Sequence, residues 1–184
     1  MVLPVNEARD RALDAAEQLI YARGVHAVGM DDVRELSGVS LKRLYALFPG
    51  KEALVEAVLE RRDGRWRQRL ADFVTRVGDR DERLLAVFDW LAEWFAEPDF
   101  RGCAWINVFG ELGSTSPAVL AQVRGHKRRF AEQLAGWVAD AHRPAELAPQ
   151  LLLLAEGAMV TAGIHGGPGP AHEARRAAAA LLSR

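Results

Sequence analysis

The chain has one cysteine, Cys103, in 184 residues, which excludes an internal disulfide framework and a cysteine-rich zinc site. Its five histidines, His26, His126, His142, His165 and His172, are scattered, with no pair at the spacing that two helical metal ligands need. There is no P-loop, no dinucleotide fingerprint and no serine nucleophile elbow. No enzyme, metal or cofactor is therefore expected. Apolar runs such as Leu151–Ala155 fall far short of the ~20 residues of a membrane span, so no membrane contact is expected. The N-terminus lacks a basic segment followed by an apolar core, so no signal peptide is expected and a cytoplasmic location follows by default. A net charge of −1 argues against general polyanion binding.

What remains is helical. No stretch alternates as a strand does, and the chain is 49% apolar, enough for a sizeable core. Asn6 is a candidate cap for a helix over 7–23, which Gly24 stops. Further helices are expected over 30–37, 41–48, 51–77, 82–97 and 104–112, then from Pro117 to near His142, from the Pro144–Pro149 region to His165, and over 171–183. Gly64 interrupts the long helix that starts at Lys51 and is a place for a bend. This gives an all-α fold of about nine helices. A small head over 1–50 is expected to precede a larger helical domain over 51–184.

The segment from Gly38 to Glu52 carries most of the functional information. Gly38-Val39-Ser40 reads as a turn, Leu41–Phe48 as a short exposed helix with Ser40 as its cap, Pro49-Gly50 as a second turn, and Lys51-Glu52 as the next helix start. A DNA-reading helix presents its N-terminal side chains to base edges while flanking groups grip phosphates. Ser40, Leu41, Lys42 and Arg43 occupy those positions. Arg and Lys bond guanine O6 and N7, and Leu41 can meet a thymine methyl. Tyr45 and Lys51 are candidate phosphate contacts, whereas Val39, Leu44 and Phe48 are spaced to anchor the helix inward. Charge is uneven: residues 41–69 hold eight Lys/Arg against four acids, whereas residues 1–40 hold four Arg against seven acids. A local basic footprint suits a regulator that must leave DNA, although a solvated helix face explains Arg61 to Arg69 as well.

Gly24-Val25, Met30-Asp31-Asp32-Val33, Gly38-Val39-Ser40, Leu44-Tyr45, Phe48 and Lys51-Glu52 resemble the N-terminal DNA-binding domain of TetR-family transcriptional regulators. Two departures stand out. Val28-Gly29 replaces the usual hydroxyl pair, and Lys42-Arg43 replaces small residues of the reading helix. Phosphate contacts are therefore expected to shift toward Arg9, Arg11, Tyr45 and Lys51, with a cation-led base readout.

The resemblance implies a C-terminal domain that dimerises and encloses an effector pocket, and a repressor released from a palindromic operator. The helix over 150–165 is apolar nearly all round, so it belongs in a core or an interface. Together with the last helix it is expected to form a two-fold interface through Leu151, Leu154, Ala158, Ala162 and Leu181. Trp66, Phe88, Trp94, Cys103, Trp105, Phe109 and Trp137, with Phe73, Trp90 and Phe95, are expected to line a pocket for a small apolar or aromatic effector. Asn107, Glu111 and His126 are its candidate polar anchors. Gly102-Cys103, followed by Asn107 and Glu111-Leu112, resembles a subset of the family that includes electrophile and oxidant sensors. A thiolate sensor needs access and an electropositive neighbour, for which Arg101 is the candidate. The alternative is a helical dimeric protein-interaction module with a vestigial reading head.

Overall fold

Alanine spacing builds the first helix. Ala8, Ala12, Ala15 and Ala16 fall on one face with Leu19 and Ile20, and all are buried. A computed structural model describes residues 4–139, 141 and 144–183, without the side chain of residue 80. Among them lie nine helices and no strand: α1 (Val5–Arg23), α2 (Met30–Ser37), α3 (Leu41–Leu47), α4 (Lys51–Val74), α5 (Arg80–Phe95), α6 (Ala104–Leu112), α7 (Pro117–Val138), α8 (Pro144–His165) and α9 (Gly169–Leu182). The all-α architecture matches the expectation.

Several ends differ. Pro4 occupies the N-cap position of α1, so Asn6 is a helical residue; proline's fixed φ and missing N–H suit a helix start. Gly64 does not break α4, which runs unbroken to Val74, because one glycine in a long helix is a cost of about 1 kcal/mol and not a stop. Pro149 lies inside α8, one turn in from its start. The expected end of α7 near His142 lies outside the described residues. Ser116 does cap α7, its hydroxyl accepting the Val119 amide at 3.1 Å.

The contacts divide the chain into two compact units, one of Met1–Asp63 with Ala104–Arg124 and one of Gly64–Cys103 with Gly125–Arg184. They draw the line differently from the boundary expected at residue 50. The first unit holds α1, α2 and α3 packed on one another, over a core that includes Val25, Val33, Val39, Leu44, Phe48, Leu54, Val58, Trp105 and Val108. The second holds the mutually packed α5, α8 and α9. Ala171, Ala174 and Ala178 are the buried face of α9, small enough for close helix approach. Arg175 ties α9 to α5 through Asp89 at 2.8 Å and Glu82 at 3.0 Å. By length and composition α8 could cross a membrane; here its buried face packs on α5 and α9.

Candidate nucleic-acid interface

Leu44 and Phe48 are buried and hold α3 by its inner face. Just before Leu44, α3 turns Lys42 outward, with Arg43 half-buried, and neither side chain has a hydrogen-bond or ion-pair partner among the described residues. Ser40 stands at the N-cap position in an extended conformation, yet its hydroxyl makes no capping bond. That hydroxyl therefore keeps its hydrogen-bonding capacity for another partner. Leu41 is half-buried beside it, and Tyr45 is 51% exposed. Arg9 reaches from α1 to the end of α3, its guanidinium 4.9 Å from the Phe48 ring centroid. These six side chains of the first unit present two unpaired cations, a third cation stacked on a ring, and two hydroxyls.

The other candidates are committed elsewhere. Arg11 pairs with Glu7 one turn away at 2.9 Å. Lys51 gives two of its three donors to the carbonyls of Val25 at 3.0 Å and Val28 at 3.1 Å, which makes it first a strut of the α1–α2 turn. The basic surplus of 41–69 is likewise largely internal. Arg61 meets Asp14 at 2.8 Å and Glu17 at 3.2 Å, and Arg62 meets Glu17 at 2.7 Å. Arg62 also lies over the Tyr21 ring, 4.3 Å from its centroid. Arg69 pairs with Glu97. The acids of α1 thus neutralise Arg61 and Arg62 within the first unit. The Val28-Gly29 departure is also explained: Val28 is buried, and the amide of Gly29 is capped from within α2 by Asp32 Oδ2 at 2.7 Å. Half of a capping box survives without its hydroxyl.

The residues expected to line one effector pocket fall into two groups. Trp66, Phe88, Trp94, Cys103 and Trp137 belong to the second unit; Trp105, Asn107 and Phe109 belong to the first. Trp105 is buried there, while Asn107 and Phe109 are exposed, Phe109 by 52%. In the second unit the rings fill space against one another. Trp66 meets Trp90 and Phe130 edge-on at centroid distances of 5.1 Å, Trp94 at 5.6 Å and buried His126 at 5.3 Å. Trp94 continues the cluster to Phe100 at 5.1 Å. Phe88 and Phe95 are buried, and Phe73 and Trp137 half-buried. Aromatic edges prefer such mutual contact, so the rings serve as core. Glu111 is bound to main-chain amides and is not a free anchor. Cys103 is 2% exposed, which withholds its thiol from solvent. Its cationic neighbour is Lys127, 3.4 Å from Sγ and itself paired with Glu156 at 2.6 Å.

The residues expected to form an interface on α8 and α9 face partly into the second unit. Leu151, Ala158 and Ala162 are buried within the unit, and Leu154 and Leu181 are half-buried. The outward face of α8 carries Leu153, Gly157, Val160 and Ile164, with Leu153 72% and Ile164 71% exposed. Spacings of four, three and four residues place these on one stripe. Alternation along an all-apolar helix gives no phase, so sequence alone could not choose between the two faces. Gly163 lies against the chain within its own unit: a Cβ there would stand 3.0 Å from Gly102 Cα.

Comparison with known proteins supports the fold. The family model for bacterial regulatory proteins of the tetR family matches residues 12–58. The model for the tetracyclin repressor-like C-terminal domain matches residues 80–178. The HTH-type transcriptional activator FasR of Mycolicibacterium smegmatis is 34% identical over 122 residues, covering 66% of this chain and 54% of FasR. The HTH-type transcriptional repressor ComR of Escherichia coli is 34% identical over 101 residues, covering 54% of this chain and 48% of ComR. The chain thus aligns with about half the length of these relatives. A crystal structure of a TetR-family regulator from Streptomyces coelicolor superposes with a TM-score of 0.85 at 27% identity, over 97% of each chain. The C-terminal match alone spans more than half of the sequence, and this chain belongs to the TetR family of helix-turn-helix transcriptional regulators.

Proposed function

We propose that the protein is a cytoplasmic repressor that binds a palindromic DNA operator as a homodimer and is released by a small apolar or aromatic effector. The observation that carries the DNA-reading part is the pair Lys42 and Arg43 on α3, without partners among the described residues. Nearly every other arginine of the first unit has a carboxylate or a ring against it, so leaving these two unpaired points to an external anion or base edge. The exposed hydroxyls of Ser40 and Tyr45 and the stacked guanidinium of Arg9 suit phosphates on either side. The outward α8 stripe supports the dimer. Its a/d spacing is self-complementary under a two-fold axis, and its occupant in this reading is a second copy of the chain. Such a dimer reads two half-sites roughly 34–36 Å apart. The effector acts by binding better to a shape in which the two heads are out of register. The aromatic cluster around Trp66 is the apolar surface such a ligand would have to open.

The test is a gel shift on DNA upstream of the protein's own gene, over a range of salt, with the wild type and the Lys42→Ala and Arg43→Ala variants. Wild-type binding that weakens with salt, and weakens in both variants, is the expected outcome. Unchanged binding in both variants removes the cation-led readout. Deleting the gene should raise transcription from that DNA; a fall instead makes the protein an activator.

A further inference from the structure

The turn between α1 and α2 is gripped from two sides. Gly24 turns the chain at a φ of 85°, and the next two amides converge on one carboxylate. Glu111 Oε1 accepts from Val25 N at 2.8 Å, and Oε2 accepts from His26 N at 2.7 Å. Successive amides aimed at one anion form a cradle, here filled by a side chain from α6, 86 residues along the chain. The cradle is shaped for it, because a Cβ on Gly24 would stand 2.9 Å from Glu111 Oε1. His26 Nε2 adds a contact to the Glu111 main-chain oxygen at 3.3 Å. From the other side Lys51 binds the carbonyls of Val25 and Val28. One residue is thus held at both ends: Val25 by its N–H to an anion and by its C=O to a cation. Ser116 adds a link from the start of α7, its hydroxyl donating to Glu52 in the first turn of α4.

We propose that Glu111 is a positioning residue for the reading head. A carboxylate does not contact phosphate favourably, so its role in DNA binding must be indirect. By fixing the turn that precedes Met30 it sets the entry of α2, and α2 packs on α3. The position of α6 is thereby written into the seat of the reading helix. Beside Glu111 a cleft lined by Ile20, Tyr21, Val58, Leu59, Asn107 and Val108 leaves a void of about 20 Å³, room for roughly one water. A displacement of α6 would pull on the cradle. This inference rests on the DNA-reading function proposed above.

Glu111→Gln tests it in the full chain. The amide keeps the shape but turns an N–H donor toward one of the two main-chain donors. Hydrogen exchange at Val25 and His26 should quicken by about tenfold or more. Affinity for the operator should fall by about tenfold or more, while affinity for unrelated DNA stays within about twofold, because the phosphate-contacting cations remain. A generally destabilised fold would lose both affinities together and broaden the melt. Operator binding at the wild-type level, with exchange at the two amides quickened, overturns the proposal and leaves DNA reading intact. An independent readout needs no variant: operator binding to the wild type should slow exchange at Val25 and His26 by linkage. Unchanged exchange on binding overturns the proposal whether or not the variant folds. Failure of the wild type to bind any DNA overturns both readings.

Discussion

Lys42 and Arg43 differ from the paired arginines of the first unit in what surrounds them, and that difference can be measured side chain by side chain. Each alanine substitution should weaken operator binding by about 1–3 kcal/mol if its head group bonds a base edge, and relax preference at that base pair. If either head group lies on phosphate instead, binding to all sequences should weaken and the salt slope fall by about one. Gly29 offers a gain rather than a loss. Gly29→Ser should restore the absent half of the capping box with Asp32, raising stability by a few tenths of a kcal/mol, read as a higher Tm. The added hydroxyl should also tighten operator binding; a higher Tm with unchanged affinity would show that it does not reach a phosphate. At this scale the helix-turn-helix motif was legible in the sequence. The commitment of Lys51 to two carbonyls and of Glu111 to two amides was not, because both depend on a turn whose partners lie 23 to 86 residues away.

Among the helices, α8 separates two roles that composition merges. Leu151 is buried against its own unit and Leu153 faces out. Leu151→Ala should therefore lower stability by about 2–5 kcal/mol through transfer and cavity terms, seen in thermal or denaturant melts. Ile164→Glu or Leu153→Glu should leave the monomer's melt nearly unchanged and shift sedimentation from dimer to monomer. A dimer that survives both outward substitutions places the interface elsewhere. The helix starts were readable where a cap or proline forces them, as at Ser116-Pro117. The phase of α8 was not, since an apolar residue at nearly every position removes the periodicity that points a helix inward.

Across the first unit, most arginines face a carboxylate or a ring. The α1 acids absorb Arg61 and Arg62, so the basic surplus of 41–69 does not become a long positive stripe. Arg61→Ala should accordingly lower Tm modestly and leave the salt slope of DNA binding unchanged, whereas Lys42→Ala should change the binding. A salt slope that falls equally in the two variants would return Arg61 to the DNA-contacting surface. The aromatics follow the same logic. Trp66 is central to a cluster of rings in the second unit, and Trp66→Ala should destabilise by about 3–5 kcal/mol.

The sequence by itself determined the all-α class, nearly all the helix positions and the reading motif. Each rests on short-range chemistry: alanine and leucine periodicity, caps, prolines and glycines act within a turn or two of themselves. Tertiary structure decided which charges are free, which face of α8 is outward, and that the aromatics pack on one another. It also decided that α6 reaches the α1–α2 turn. Those outcomes depend on which surfaces meet, and burial and pairing between residues far apart in the chain leave no local pattern to read.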